Sequence, residues 1–329
     1  MADLEKNILV VIPVNEDHKK FLEEKAASGN KNCCVRYVNG SDVTAEDVKE
    51  ANVIIGNVDP ALVKEAKNLE LFQLNSAGAD QYIKPGILPE QAVLANATGA
   101  YGLAVSEHML ALTFDLIRRF NQYHANQAKH VWQSMGNITS VEGSTILVLG
   151  LGDIGGDYAR KCHALGAHVI GVRRTNRNKP DYLDEVFTTE HLDELLPRAD
   201  FVALSLPNSP ATYHIMDERR LRLMKKTAFL LNVGRGSAID PEALNRVLHD
   251  GWLGGCGVDV TEPEPLPEDS PLWDAPRMYI TPHISGQYHL QETFERIVRI
   301  AGGNLEKFLA GEKDSMKNLV DFKTGYRRR

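Results

Sequence analysis

The feature that most constrains the fold is a set of three closely spaced glycines that follows an apolar segment. The stretch TILVLGLGDIG places Gly150, Gly152 and Gly155 in the spacing GxGxxG, directly after a predicted strand and at the start of a predicted helix. There, the first glycine allows a tight turn, the second lets the backbone approach a pyrophosphate, and the third permits close packing of helix on strand. A second predicted strand, AHVIGV, follows the predicted helix, as a βαβ unit requires. The stretch therefore predicts dinucleotide binding rather than a flexible glycine turn.

Positive charge occupies the position that normally selects the nucleotide. About 20 residues beyond the glycine turn, NAD-binding folds place an acidic residue that bonds the ribose 2′-hydroxyl. This sequence has Arg173 and Arg174 there, with Arg177 close behind, and the next acidic residue is Asp181. Guanidinium groups bind a 2′-phosphate, whereas a carboxylate repels it. We therefore predict NADP(H) as the preferred cofactor, with NAD(H) as the second choice. The alternative is a solvated basic turn.

Length and composition describe an ordinary globular chain. The 329 residues are 43% hydrophobic and 25% charged, and they suggest about two domains. The net charge of −7 argues against nucleic acid as the main partner. The four cysteines lack the spacing of a disulfide framework or a zinc site, so we expect a cytoplasmic protein without a metal. The apolar run near the N-terminus is too short for a signal or a membrane span, and no membrane partner is predicted.

Apolar runs alternate with amphipathic stretches, which is typical of parallel strands joined by crossover helices. One long helix is predicted from Gly102 to about Lys129, because no proline interrupts its pattern. Its predicted apolar stripe consists of Ala104, Met109, Leu112, Leu116 and Phe120. The predicted strands are 7–12, 32–38, 52–56, 71–75 and 92–97 before this helix, and 145–150, 167–172, 200–206, 227–233, 254–260 and 278–282 after it. The sequence thus predicts two α/β units, and it leaves open where the last helix docks.

Three segments at predicted strand ends carry the side chains that reduction of a carbonyl requires. Arg235 lies between two glycines in NVGRGSAID, and its planar guanidinium suits the carboxylate and keto oxygen of a 2-oxo acid. His283, in TPHISG, is a candidate proton donor. In GVDVTEPEP, a carboxylate that bonds the imidazole would fix its tautomer, but spacing does not choose between Glu262 and Glu264. The alternatives are a surface arginine and a packing histidine.

The order GLGDIG, NVGRGSAID, GVDVTEPEP, TPHISG resembles the D-isomer-specific 2-hydroxyacid dehydrogenases, and NSAGADQY and TGAYGLAVSEHML extend the resemblance over nearly the whole chain. The resemblance implies a catalytic triad of Arg235, Glu264 and His283. It implies substrate contacts at Ala77, Gly78 and Tyr101, the first two through backbone amides that hold the carboxylate. It implies cofactor contacts at Asp153 and Ile154 (pyrophosphate), Leu206, Pro207 and Thr212 (ribose), and Val233, Asp259 and Gly286 (nicotinamide).

The same resemblance implies an architecture. A Rossmann dinucleotide-binding domain, residues 103–286, would be inserted into a flavodoxin-like substrate domain made from residues 1–102 and 287–329. It also implies a homodimer, with the helix after residue 102 in the interface. The departure from the family is Arg173, where many relatives carry Asp and use NAD.

The predicted activity is transfer of hydride from NADPH to C2 of a small 2-oxo acid, such as glyoxylate or hydroxypyruvate, to give the D-2-hydroxy acid. One alternative is an NADH-dependent dehydrogenase of the D-lactate or phosphoglycerate type, and another is a formate-oxidising relative. The third is a dinucleotide-sensing binding protein like the corepressors built on this fold. Arg173 argues against the last, because a sensor of NADH would be expected to keep the acidic residue.

Overall fold

The computed structural model describes residues 5–30, 32–175 and 178–322, so Arg177 of the basic stretch lies outside the described residues. The strands are β1 (Lys6–Val10), β2 (Cys33–Tyr37), β3 (Val53–Ile55), β4 (Leu71–Gln73), β5 (Val93–Ala95), β6 (Thr145–Leu149), β7 (His168–Val172), β8 (Glu185–Phe187), β9 (Phe201–Leu204), β10 (Phe229–Asn232), β11 (Gly255–Val258) and β12 (Met278–Ile280). The α-helices are α1 (Glu16–Gly29), α2 (Ala45–Glu50), α3 (Pro60–Val63), α4 (Gly102–Arg118), α5 (Phe120–Ala128), α6 (Asp153–Ala164), α7 (Leu192–Leu195), α8 (Glu218–Leu223), α9 (Pro241–His249) and α10 (Gln291–Leu309).

The chain divides into two compact units, each built on one parallel sheet. The first unit consists of the residues up to Tyr101 and those from Tyr288 onward, and the second is Gly102–Gln287. The first sheet has the order β2-β1-β3-β4-β5, which is the flavodoxin-like order. The second has the order β12-β11-β10-β9-β6-β7-β8, which is that of a Rossmann fold with one added strand. The predicted fold class is therefore confirmed.

Local sequence explains where several helices begin. Asn15 caps α1 by accepting a hydrogen bond from the backbone of His18, whose ring in turn accepts one from the cap. Asp240 caps α9 by accepting hydrogen bonds from the amides of Glu242 and Ala243, and it is followed by Pro241, which suits the first helical position. Both helices then bury one apolar face against their sheet, with Leu22 and Leu244 almost fully covered.

The last helix, whose docking the sequence left open, belongs to the first unit. Buried Asn304 of α10 donates a hydrogen bond to Gln73 Oε1 of β4 at 2.7 Å and also binds the backbone of Lys317. Gly302 lies against the ring of Phe21 of α1, where a Cβ would come within 2.4 Å of a ring carbon. Apolar residues of α10, such as Leu305, complete the core of the first sheet. The unit is thus closed by both ends of the chain.

The prediction of one uninterrupted helix up to about Lys129 is wrong. Arg119 has a φ of +57°, and this left-handed residue separates α4 from α5. Its guanidinium binds the carbonyl of Met135. Phe120, predicted on the apolar stripe, is 47% exposed, whereas Met109 and Leu112 of the same stripe are buried. The short strand β8 was not predicted, since three residues carry too little pattern. Among the described residues, no helix combines the length and apolar character that crossing a membrane requires.

Candidate active site

In the second unit, the predicted site residues follow the ends of successive strands. Gly150 comes after β6, Arg173 after β7, Leu206 and Pro207 after β9, Val233 after β10, Asp259 after β11 and His283 after β12. Because all these strands are parallel, their carboxyl ends share one edge of the sheet. Ligands of open α/β sheets bind at that edge.

The glycine turn has the geometry that each glycine was expected to provide. Gly150 has a φ of +95°, a value that residues with a side chain rarely adopt. A Cβ on Gly155 would lie 1.9 Å from the carbonyl oxygen of Gly150, so the helix can start here only with glycine. Gly152 is exposed, and a Cβ there would meet nothing within 4 Å. The turn leaves open space in front of the first turn of α6, where Asp153 and Ile154 are half-buried, and this fits a pyrophosphate at a helix N-terminus.

Arg173 lies directly beside this turn. The carbonyl of Val172 accepts a hydrogen bond from the amide of Gly150 at 2.9 Å, which brings the end of β7 next to the glycines. Arg173 is half-buried and donates from Nη2 to the carbonyl of Asn178 at 3.2 Å, while Arg174 is exposed. Both arginines therefore occupy the position where the fold places the group that contacts the 2′-substituent.

Arg235 is held by its two glycines and by a buried asparagine. A Cβ on Gly236 would lie 1.9 Å from the carbonyl oxygen of Thr261, and one on Gly234 would lie 2.5 Å from the backbone of Leu206. The side chain of Asn232, which is fully buried, donates to the carbonyl of Arg235 at 2.9 Å and accepts from the amide of Gly234 at 3.0 Å. The side chain of Asn232 therefore fixes the backbone of the loop that carries the guanidinium.

The structure distinguishes the two glutamates that spacing left equivalent. Nδ1 of His283 lies 2.5 Å from Oε1 of Glu264, and both side chains are nearly half exposed. Glu262 instead binds Nε2 of His214 at 2.8 Å. With Nδ1 bonded to a carboxylate, the tautomer of the ring is fixed and Nε2 is the nitrogen left to exchange a proton with a ligand. This pair is the arrangement that a proton donor requires.

The remaining cofactor candidates lie in the same loops, and some of their contacts are internal. Thr212, predicted near the ribose, donates its hydroxyl hydrogen to the carbonyl of Pro207 at 2.7 Å and accepts from the amide of Ser209. Asp259, predicted at the nicotinamide, is 1% exposed, and its carboxylate accepts hydrogen bonds from the amides of Ile284 and Ser285. Val233 is buried, and Gly286 is half-buried.

In the first unit, the loop predicted to hold the substrate carboxylate has its carbonyl groups occupied. The carbonyl of Ser76 accepts a hydrogen bond from the amide of Ala97, and that of Ala77 accepts one from the side chain of Asn96. The carbonyl of Gly78 accepts one from the hydroxyl of Ser76. Because C=O and N–H point in opposite directions across a trans peptide, the amides of Ala77 and Gly78 point away from the first two of these donors. Such paired amides suit a carboxylate.

Two tyrosines meet next to this loop. The hydroxyl of Tyr101 donates to the carbonyl of Asn75, and the side-chain amide of Asn75 donates to the hydroxyl of Tyr288. Burial raises the pKa of both hydroxyls, and for Tyr101 the neighbouring Tyr288 adds to the effect. Both phenols are therefore neutral. After these bonds, the Tyr288 hydroxyl still carries its hydrogen, and the Tyr101 oxygen still has lone pairs.

Sequence reasoning missed the asparagines that support these loops. Asn57 and Asn75 exchange hydrogen bonds through their side-chain oxygens and backbone amides, Asn96 holds the carbonyl of Ala77, and Asn232 holds the arginine loop. Each of them lies at or just after the end of a strand, in GN, LN, AN and LN dipeptides. An asparagine that follows a buried strand was therefore the available signal.

Comparisons with known proteins agree with this geometry. The family model described as D-isomer specific 2-hydroxyacid dehydrogenase, NAD binding domain, matches residues 110–285, which is more than half of the chain. The glyoxylate/hydroxypyruvate reductase B of Yersinia pestis (strain Pestoides F) is 32% identical over 262 residues, covering 78% of this chain and 79% of that protein. The glyoxylate reductase of Thermofilum pendens is 28% identical over 309 residues, covering 89% and 91%.

A solved structure agrees over nearly the full length. The crystal structure of a D-isomer specific 2-hydroxyacid dehydrogenase family protein from Aeromonas salmonicida subsp. salmonicida superimposes with a TM-score of 0.82 at 29% identity, covering 97% of this chain and 100% of that one. The chain therefore belongs to the D-isomer specific 2-hydroxyacid dehydrogenase family and is an oxidoreductase with an NAD-binding domain.

Proposed function

We propose that the protein is an NADPH-dependent reductase of small 2-oxo acids, with glyoxylate or hydroxypyruvate as substrate and the D-2-hydroxy acid as product. The observation that carries this proposal is the pairing of His283 with Glu264 at the strand ends of the cofactor-binding sheet. A carboxylate-bound imidazole at such an edge serves proton transfer to a ketone oxygen. The two relatives named above as reductases support the same reaction class.

In this proposal, the unit Gly102–Gln287 binds the cofactor, and the unit made from both chain ends binds the substrate. The bound nicotinamide supplies the hydride for C2 of the 2-oxo acid. Arg235 orients the carboxylate and polarises the ketone, because its planar guanidinium can bond both oxygens. His283, as the imidazolium, gives the proton on Nε2 to the developing alkoxide and becomes neutral, while the Glu264 carboxylate favours the cationic ring before the transfer. Within the first unit, the amides of Ala77 and Gly78 are assigned to carboxylate binding.

The tyrosine pair supports a polar substituent on the substrate. Tyr288 retains a hydrogen to donate and Tyr101 retains lone pairs to accept, so together they match a hydroxyl group. Of the small 2-oxo acids, hydroxypyruvate carries such a hydroxyl on C3, whereas pyruvate carries a methyl group. A site built to bond a hydroxyl discriminates strongly against an analogue that lacks it. This reasoning favours hydroxypyruvate over pyruvate.

Initial rates test the activity directly. We expect turnover of glyoxylate and hydroxypyruvate with NADPH to exceed that of pyruvate and 2-ketoisocaproate, and turnover with NADPH to exceed that with NADH. Turnover with NADH alone would support the reductase activity and refute the assignment of NADPH as the preferred cofactor. Oxidation of formate with NADP would reassign the protein to the formate-oxidising relatives. Tight binding of NADPH without turnover of any of these acids would favour a dinucleotide sensor.

The cofactor preference rests on Arg173 and Arg174, and a charge reversal tests it. We expect Arg173→Asp to weaken NADPH binding by about tenfold to a hundredfold, because a charge-assisted bond contributes about 1.5–3 kcal/mol. The affinity for NADH should stay within a few-fold, since that cofactor has no 2′-phosphate to repel. Fluorescence titration of each dinucleotide measures both constants, and NADH serves as the internal control. An unchanged NADPH affinity would show that the arginines form only a basic turn.

We propose a homodimer in the cytoplasm. Large apolar side chains are exposed on α5 and the segment after it, with Phe120 at 47% and Trp132 fully exposed. Large apolar side chains that are exposed in the single chain can be covered at an interface with another chain. This observation is consistent with an interface near α4 and α5.

A further inference from the structure

A chain of hydrogen bonds leads from helix α4 to the loop of the proposed proton donor. Nε2 of His108, on α4, lies 3.0 Å from the hydroxyl oxygen of Thr281, and that hydroxyl donates to Oδ1 of Asp259 at 2.6 Å. A threonine hydroxyl has one hydrogen, and the carboxylate takes it. The hydroxyl oxygen therefore accepts from His108, which must carry a hydrogen on Nε2.

Asp259 connects this chain to His283. Its Oδ1 also accepts a hydrogen bond from the amide of Ile284, and its Oδ2 accepts one from the amide of Ser285, both at 3.0 Å. Its backbone carbonyl accepts the amide of His283 at 2.9 Å. The carboxylate is 1% exposed, so each of its bonds replaces a bond to water. One buried aspartate thus holds three consecutive amides of the catalytic loop.

The loop requires such support because of its backbone. His283 has a φ of +51°, in the left-handed region that a residue other than glycine seldom adopts. A backbone of this kind persists only when surrounding contacts determine it. The direction of the imidazole therefore depends on the amides that Asp259 holds, and the direction of the Asp259 carboxylate depends on Thr281 and His108.

We propose that His108 is a positioning residue for the reaction, acting on His283 through Thr281 and Asp259. Its hydrogen-bond partner is Thr281, and its Nε2 lies 3.8 Å from Oδ1 of Asp259. Its role is to orient the threonine hydroxyl so that Oδ1 of Asp259 keeps the geometry that fixes the loop. The kinetic readout of this inference rests on the proposed reductase function, whereas amide hydrogen exchange of the loop does not.

Paired substitutions separate the hydrogen bonds from packing. Thr281→Val keeps the volume and removes the hydroxyl, while Thr281→Ser keeps the hydroxyl. His108→Leu removes the donor, while His108→Gln can place a side-chain N–H near the position of Nε2. We expect Thr281→Val and His108→Leu to lower kcat about tenfold, which corresponds to about 1.4 kcal/mol in the barrier. NADPH affinity and KM should change less than about threefold, because neither Thr281 nor His108 is among the predicted cofactor or substrate contacts.

The serine and glutamine variants should recover most of the lost kcat. In the double variant His108→Leu/Thr281→Val, the loss should not exceed that of Thr281→Val alone, because both changes break one chain. Additive losses, or equal losses in His108→Leu and His108→Gln, would overturn the proposal. Thermal unfolding of each variant identifies any loss that is caused by a damaged fold.

Amide hydrogen exchange of residues 283–285 provides the readout that needs no substrate. We expect faster exchange in Thr281→Val and His108→Leu, and wild-type exchange in Thr281→Ser, because opening of the loop releases those amides. If the wild-type protein turned over no 2-oxo acid, the proposed function would fail while this measurement would still decide the inference. Unchanged exchange in both disruptive variants would overturn it.

Discussion

Replacement of His283 by asparagine should lower kcat for 2-oxo acid reduction by about 10²–10⁴-fold, the range typical for loss of a general acid. Asparagine is the appropriate substitute because it tolerates a positive φ better than most residues, and His283 has a φ of +51°. The loop should therefore keep its shape while the ionisable ring is removed. Steady-state rates with saturating NADPH measure the effect.

Two controls accompany this variant. The affinity for NADPH, measured by fluorescence titration, should stay within about threefold of the wild type, since the ring is expected to act on the substrate and not on the cofactor. Glu264→Gln should show a smaller loss than His283→Asn, because the amide can still bond Nδ1 without stabilising a charged ring. Retention of more than a tenth of the wild-type kcat in His283→Asn would assign the proton transfer to another group.

Replacement of Gly155 by alanine should abolish dinucleotide binding and destabilise the cofactor unit. The new Cβ would lie 1.9 Å from the carbonyl oxygen of Gly150 and 2.4 Å from Oγ of Ser205. The nearer contact is backbone, so the helix must move away from the glycine turn. Overpacking of this kind costs about 1–3 kcal/mol and sometimes more. Thermal unfolding and NADPH titration measure the two effects.

Two other glycines provide matched controls. In Gly152→Ala, the new Cβ meets nothing within 4 Å, so the free protein should unfold near the wild-type temperature. NADPH binding should weaken, because the methyl group faces the space assigned to the pyrophosphate. Gly303→Ala on α10 also meets nothing within 4 Å and should be neutral or stabilising by about 0.5–1 kcal/mol. Wild-type stability and NADPH affinity in Gly155→Ala would contradict the packing argument.

Local sequence patterns were sufficient for the glycine turn and for most strands. The GxGxxG spacing has a direct steric meaning, and the structure shows the positive φ of Gly150 and the close approach at Gly155. The break at Arg119 was not predicted, because the apolar pattern continues through it; the structure shows a left-handed residue there whose guanidinium binds the carbonyl of Met135. Apolar periodicity predicts which face of a helix is buried. It does not predict contacts that the end of the helix makes with another loop.

The candidate site was partly accessible from sequence. Arg235 and His283 were identified because both follow apolar strands in glycine-containing loops. The pairing of Glu264 with His283, and of Glu262 with His214, required coordinates, since both glutamates lie in the same loop two residues apart. The supporting asparagines were missed for a different reason. Each lies at or just after the end of a strand, but that position alone does not show which backbone groups of a neighbouring loop its side chain bonds.

The closure of the first unit by Asn304 and the rest of α10 has a consequence for synthesis on the ribosome. Residues up to Tyr101 emerge first, but their sheet lacks the apolar face of α10 until the chain beyond residue 288 has been made. At about 5–20 residues per second, the delay is roughly 10–40 s. During that interval, all of Gly102–Gln287 becomes available and can fold as a unit. The unit Gly102–Gln287 can therefore be completed before the unit that contains the N-terminal strands. Until α10 has been made, those strands lack part of their hydrophobic core.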